Sequence, residues 1–492
     1  MRDRPPAHAL FFNMASAKIL FHRKPREQRF ASMPRRTVLI LALFMCWQSN
    51  ISHSASSEST AIVNVTLVDA LNGIRKNQTV VFREDSITSI RKYSGIPEIA
   101  SVLDGTGKFL IPGLWDLHVH LTNTDDEYLK EKMPSLFLSF GVTSVRDTGG
   151  AIEKMLPAVK KMRAKGSIAP RVFISGPLLD GNTIVYERAV KNSDPKTARQ
   201  SVELLESQGV DFIKIYELVS PDVFYALVKT AREHKLPIAA HVPLSMRARV
   251  AGKHVDSMEH LRNIELDCAK NNEDLLTERR ALLKNENGLS GFALRTMIHN
   301  LLRLPAIENY SPTECAKTLE AISDTLQVPT LRLNSGLVDL AYNRSDWAEA
   351  FSKLPAQTQK NWQKHIDDEI VLSYLNQKFA EWSLFLVGLM KEKQIPIGAG
   401  TDTPLALAIP GYSLHAELEM LVRAGLTPLE AIAAATVAPA RYFSLLEELG
   451  SIDVGKRADM VLLDRNPMNN ISNTKSISHV ISRGRIFAKE DF

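Results

Sequence analysis

The sequence predicts an α/β fold: a closed (β/α)8 barrel beside a small β-domain that draws on both ends of the chain. Three observations predict it. From about residue 114 to 440, short apolar runs alternate with longer amphipathic stretches, the pattern of parallel βα units. Strand-like, β-branched runs flank that region on both sides. The chain has 492 residues, enough for a barrel of about 250 residues and a second domain.

The first segment reads as a leader. Pro34-Arg35-Arg36 precedes the apolar run Thr37–Trp47, and a polar stretch of small residues, Gln48–Ser57, follows. A basic start, a short apolar centre and small residues at a cleavage point describe a secretory signal peptide. The run is too short for a spanning helix, which takes about 20 residues. An extracytoplasmic location, periplasmic or secreted, is therefore expected, with no stable membrane span once the signal is removed. Met33 would give a more usual signal-peptide start. Residues 1–36 hold nine Lys or Arg against Asp3 and Glu27, so the rest of the chain is slightly acidic although the whole carries +5. That balance offers no nucleic-acid surface. Cys46 lies in the leader, leaving Cys268 and Cys315, whose pairing stays open.

Strands are expected over Ala61–Val68, Thr79–Arg83 and Ser86–Arg91, then through Lys108–Leu114 into Trp115–His120. Seven further runs complete the eight that a barrel requires: Val142–Arg146, Val172–Ser175, Phe212–Tyr216, Ile238–His241, Ser257–Leu261, Val328–Leu333 and Ile395–Gly398. Helices are expected between them, among them Asp194–Gln208, Pro221–Lys235 and Glu369–Lys393. Residues 265–327 are too long for an ordinary βα connection and read as a helical insertion at the barrel mouth, shaping a substrate pocket. Ala458–Leu463 and Ser478–Phe487 return to strand character and would pair with the first strands.

The chemistry gathers at strand ends. In Asp116-Leu117-His118-Val119-His120, alternate residues share a face, so His118 and His120 point the same way and can chelate one metal ion. Alone, such a pair fits two incidental histidines equally well. Lys214 is a cation inside the apolar strand Phe212–Tyr216, costly unless paired or modified. His241 and His260 end two more runs, and Asp402 follows the run near 395. Strand ends of a barrel converge on one face, where active sites sit, whereas incidental histidines would scatter. Tyr216 shares the face of Lys214 and is a candidate substrate contact or a core tyrosine. Arg146 and Asp147 would form a buried pair or touch substrate, and His415 opens a helix with a rim role as its alternative. His234, His254, His299, His365 and His479 read as ordinary histidines.

Taken together, the segments IPGLWDLHVH, GVTSVRDTGG, VDFIKIY, AAHVP, SMEHL, IPIGAGTDTP, LHAELEMLVRAGLTPLEAIAAAT and GKRADMVLLDRNP resemble the amidohydrolase superfamily, in its imidazolonepropionase-like and Xaa-Pro dipeptidase-like branch. They span about 108 to 467. The resemblance implies a TIM barrel at 114–440, a β-sandwich from 56–113 and 441–492, and residues 1–55 as extension and signal peptide. It also implies two divalent metal ions, Zn2+ by ligand type, with Mn2+, Fe2+ or Co2+ as alternatives. His118, His120 and Asp402 would hold the more buried ion and His241 and His260 the other, with Lys214 carboxylated by CO2 to bridge them. The implied reaction is hydrolysis of a carbon–nitrogen bond (in an amide, dipeptide, N-acyl amino acid or cyclic amide) by a metal-bridging hydroxide, with Asp402 moving the proton. An ester or lactone hydrolase and a non-catalytic binding protein are the alternatives. The expected partner is a small molecule or small peptide; a homo-oligomer stays open.

Overall fold

The structure, a computed structural model, describes residues 59–99, 101–367 and 372–492. The expected leader lies outside the described residues. No helix among the described residues is long and apolar enough to cross a membrane.

The first strands are β1 (Thr60–Asp69), β2 (Gly73–Arg83), β3 (Ser86–Lys92), β4 (Ser101–Asp104) and β5 (Phe109–Pro112). The Asp69 side chain closes the β1–β2 turn by accepting the amides of Leu71 and Asn72 at 2.8 and 3.1 Å, an Asx arrangement. The middle of the chain supplies β6 (Leu114–Val119), β7 (Val142–Asp147), β8 (Arg171–Ile174), β9 (Leu179–Asp180), β10 (Val190–Lys191), β11 (Ile213–Ile215), β12 (Ile238–Ala240), β13 (Ser257–Glu259) and β14 (Leu326–Val328). The end supplies β15 (Met460–Leu463), β16 (Ile477–Ser482) and β17 (Arg485–Ala488).

Strands from both ends share one sheet in the order β17-β16-β15-β5-β1-β2-β3, with β4 added on β1. It is a single hydrogen-bonded sheet rather than two separate ones. Ile62, Leu67, Val80, Phe82, Leu110, Met460, Leu462 and Ile481 pack together as one apolar cluster. Arg171, at the start of β8, fastens this sheet to the central strands by bonding Asp85 at 2.7 Å and Asp459 at 2.6 Å.

The central strands form two parallel sheets, β6-β7-β8 and β10-β9-β11-β12-β13-β14. Near-continuous burial of β6, β7 and β11 to β14 is the mark of parallel strands covered on both faces. Asp194 and Thr197 form a capping box that starts the helix Pro195–Ser207, and Pro221 starts the helix Pro221–Glu233, both close to their predicted ranges.

Two expected strands differ. The run Val328–Leu333 ends at Val328, because Pro329 lacks an amide proton and Thr330 turns the chain at φ 46°. Leu331–Asn334 is a short helix whose Leu331 and Arg332 amides are held by the Glu417 carboxylate at 2.9 and 2.7 Å. The run Ile395–Gly398 is not a regular strand. It touches β14 through an isolated bridge, Gln327 to Ile397, and the chain beyond it touches β6 through Val119 and Thr403. Leu117 donates to Ala399 O at 2.9 Å and His120 to Thr403 O at 2.8 Å along this junction. The approach is tight: a Cβ on Gly400 would lie 2.6 Å from Val328 Cγ1 and 2.9 Å from His118 Cβ.

The stretch 265–327 is helical, with Asn272–Leu282, Gly291–Glu308 and Pro312–Ala321, but its last residues, Leu326 and Gln327, belong to β14. Leu275, Leu276, Leu294, Ile298 and Leu302 give these helices an apolar core of their own. A disulfide joins Cys268 to Cys315 across 47 residues. Closing a loop of that size restricts the unfolded chain, so reduction should lower stability by about 2–4 kcal/mol. Thermal melts with and without reductant, beside a Cys268→Ser/Cys315→Ser variant, read this; an unchanged melting temperature would show that the bond constrains nothing.

Candidate metal centre

Strand β6 places Asp116 and His118, and just past its end His120, on one face. Asp116 accepts the amides of His118 and Thr401 at 3.1 and 3.0 Å and the Thr401 hydroxyl at 2.6 Å, tying β6 to the segment that carries Asp402. Burial pushes its carboxyl up to about 7. Asp402 itself adopts φ 61°, a left-handed conformation uncommon for a non-glycine residue. Arg332 holds the strained loop by donating to the carbonyls of Thr401, Leu405 and Ala406 at 2.9, 3.0 and 2.8 Å.

The imidazoles of His118, His241 and His260 are buried, and that of His120 nearly so. Each has a partner at Nδ1. His118 Nδ1 donates to Glu259 Oε2 and His241 Nδ1 to Glu217 Oε1, both at 2.6 Å. His260 Nδ1 meets the Thr330 hydroxyl at 2.7 Å, and His120 Nδ1 the Gly149 carbonyl at 3.3 Å. For His118 and His241 the partner is a carboxylate, which can only accept, so there the proton sits on Nδ1 and Nε2 is left with its lone pair. Burial favours the neutral form as well. It lowers His118 to about 4 and His241 to about 3, and holds His260 well below the ordinary range. His120 is raised, because Asp402 outweighs its burial.

The rings gather closely. His118 lies 4.4 Å from His260 and 5.3 Å from His120, and His241 lies 4.8 Å from His260, between ring centres. Donor atoms of His118, His260 and Asp402 fall within 4.8 Å of one another and could hold a metal ion. Asp402 Oδ1 is 2.9 Å from His120 Nε2 and 3.5 Å from His118 Nε2. It is buried and has no partner in hydrogen-bond geometry, and neither has the buried Lys214 Nζ. Burial lowers the Lys214 ammonium to about 8. The neutral imidazoles of His118, His241 and His260, with His120 beside the Asp402 oxygen and an unpartnered lysine, suit a divalent cation far better than they suit an empty core.

Tyr216 stays beside this cluster, its ring 4.5 Å from His241. Two other candidates do not. Arg146 is wholly enclosed, donating to Leu117 O at 2.6 Å, Ser257 Oγ at 2.9 Å and Glu259 Oε1 at 2.7 Å, with its guanidinium over Tyr442. No edge is left for a substrate, and its partner is Glu259, not Asp147. Asp147 instead accepts the amides of Leu121 and Gly149 at 2.6 and 3.1 Å. His415 is buried away from the cluster, between the Thr474 hydroxyl at 2.8 Å and the Phe140 carbonyl at 2.9 Å, so it ties a helix down rather than lining a rim.

Sequence reasoning missed Glu259 and Glu217. The available signal was an acid inside or just after an apolar strand, the same signal that singled out Lys214.

A model of the amidohydrolase family matches residues 109–324 and 383–487. The chain belongs to the amidohydrolase family. Among curated relatives, a 5'-deoxyadenosine deaminase of Methanobrevibacter smithii is 28% identical over 179 residues, 33% of this chain and 39% of that protein. Ochratoxinase of Aspergillus niger is 37% identical over 98 residues, 19% of each. The matched segments thus span well under half of these relatives. Among solved structures, a Xaa-Pro dipeptidase with bound methionine aligns with TM-score 0.63 and 19% identity, over 87% of this chain and 100% of that one. A bottromycin amidohydrolase aligns with TM-score 0.65 and 22% identity, over 88% of each. These likenesses show a TIM-barrel-type fold of mixed α/β content.

Glu259 joins the His118 imidazole to the Arg146 guanidinium. Glu259→Gln should therefore weaken metal binding about 10–100-fold, read by competition with a chromophoric chelator on protein whose circular dichroism is unchanged. Metal affinity equal to that of the unaltered protein would remove Glu259 from the metal centre.

Proposed function

We propose that the protein is a metal-dependent hydrolase of carbon–nitrogen bonds in a small peptide or N-acyl amino acid. The observation that carries this reading is the convergence of four imidazoles, each with Nδ1 engaged, on Asp402 and an unpartnered Lys214. The names of the relatives, a deaminase, ochratoxinase, a dipeptidase and a bottromycin amidohydrolase, support the bond class.

His118, His120 and Asp402 would hold one Zn2+, and His241 and His260 the second, with Lys214 as a CO2-derived carbamate between them. A carbamate would supply negative charge and oxygen donors for divalent cations, and it would remove the cost of a buried ammonium. Bound divalent ions supply an acidified water and positive charge for a carbonyl oxygen. The chain's own residues do the rest. Asp402 takes the proton that the attacking water gives up and passes it to the leaving nitrogen. Tyr216, on the His241 side, orients the acyl or carboxylate end of the substrate. The junction at 396–403 is the eighth strand position, which completes a closed barrel; the hydrogen bonds from Gln327 to Pro396 O and from Leu117 to Ala399 O support this. We also propose export by the leader. The Cys268–Cys315 disulfide supports an oxidising compartment.

Removal of metal by a chelator should abolish cleavage in a panel of dipeptides and N-acyl amino acids, and Zn2+ with bicarbonate should restore it. Asp402→Asn should lower kcat by about 10²–10⁴-fold. Cleavage confined to esters or lactones would replace the amide reading. No turnover by protein shown to carry metal would favour a binding protein on the same fold.

A further inference from the structure

The helix Gly291–Glu308 lies between β13 and β14 and has two working faces. Leu294, Ile298 and Leu302 pack into the apolar core of the insertion. Phe292, Arg295, His299 and Arg303 recur at intervals of three and four residues, so they form a second stripe. That stripe is where the insertion meets the metal centre.

Glu217 is the junction. It is fully buried, and its carboxylate accepts from His241 Nδ1 at 2.6 Å. It also accepts from Arg295 Nη2 at 2.9 Å and from His299 Nε2 at 2.6 Å. Arg303 Nη2 donates to His299 Nδ1 at 3.0 Å, and its Nε reaches Glu265 Oε1 at 3.4 Å. The tautomers follow from these partners. A guanidinium can only donate, so His299 Nδ1 accepts and Nε2 carries the proton toward Glu217. Glu217 can only accept, so His241 donates from Nδ1 and turns Nε2 to the other ligands. Burial alone would raise the Glu217 carboxyl, but Arg295 and His299 hold it well below the ordinary range. Arg295 also lies over the Tyr216 ring at 5.8 Å, and that ring packs on His241. His299, read from the sequence as an ordinary histidine, is thus part of a continuous chain from the insertion to a candidate ligand.

Apolar side chains would fill the same space without desolvating a carboxylate and a guanidinium, so stability alone gives no reason for this chain. We propose that the insertion helix is a working part of the metal centre: His299 and Arg295 are positioning residues that orient Glu217, and through it His241, and so set the affinity of the ion held by His241 and His260. This rests on the two-ion reading given above.

Zn2+ titration of metal-stripped, full-length protein against a chromophoric chelator, with elemental analysis of the stoichiometry, tests it. The unaltered protein should bind two ions. His299→Leu and Arg295→Met should each weaken one ion about 10–100-fold while the other stays within about threefold. His299→Gln should restore the weakened ion, because an amide can both donate to Glu217 and accept from Arg303. If His299→Leu does not fold, Arg295→Met and His299→Gln carry the test. Folded variants that bind both ions as tightly as the unaltered protein would overturn the proposal, as would equal weakening of both ions or a His299→Gln no better than His299→Leu. Fewer than two ions on the unaltered protein would overturn the two-ion reading, and this proposal with it. Two ions with insensitive variants would overturn this proposal alone.

Discussion

Buried imidazoles that face one another at under 5.5 Å must have their protons directed, and Glu259 and Glu217 draw those of His118 and His241 outward, away from the cluster. That requirement organises the interior. It puts an oxygen partner behind every ring: the acceptors Glu259, Glu217 and the Gly149 carbonyl, and the Thr330 hydroxyl. Two of those acceptors are carboxylates, and a buried carboxylate needs a cation. Arg146 answers Glu259 from β7, and Arg295 answers Glu217 from the insertion. Each layer of charge is thus explained by the one inside it.

The same logic separates supports from working groups. Asp116, Arg332 and Glu417 touch none of the cluster's free nitrogens. They hold the backbone around Asp402, which keeps a left-handed conformation because Arg332 engages three carbonyls of its loop and Asp116 anchors Thr401. Asp402 has no alternative partner in hydrogen-bond geometry, so its oxygen stays directed at the rings.

What could be read from the sequence follows from range. The His-x-His alternation is local, and the end of β6 presents His118 with His120 directly after it, as the period of a strand requires. Lys214 stood out because a cation in an apolar strand breaks a local rule, and its Nζ is buried without a partner. The helix starts at Asp194 and Pro221 were legible for the same reason, since their signals lie within four residues. Glu259 and Arg146 find each other across more than a hundred residues, and Glu217 finds His299 across 82, so no local pattern betrays them. His415 misled because a helix start looks the same whether its side chain faces a cavity or a neighbouring carbonyl. The break at Pro329 and Thr330 was hidden inside an apolar run, whose composition does not reveal where the backbone turns.

The sheet shared by the two ends of the chain has a temporal side. β5 pairs with β1 on one edge and with β15 on the other, and Asp69 accepts the amide of Ile452, 383 residues later. On the ribosome, β1 and β2 emerge long before β15 exists. Their apolar face, with Ile62, Val80 and Phe82, must wait while the whole central region is translated. Contacts so distant along the chain close late, and an unpaired strand edge is exposed in the interval. A growing chain of this design therefore carries the open edge of β5 until β15 is made, so the first strands of the sheet are completed by the last.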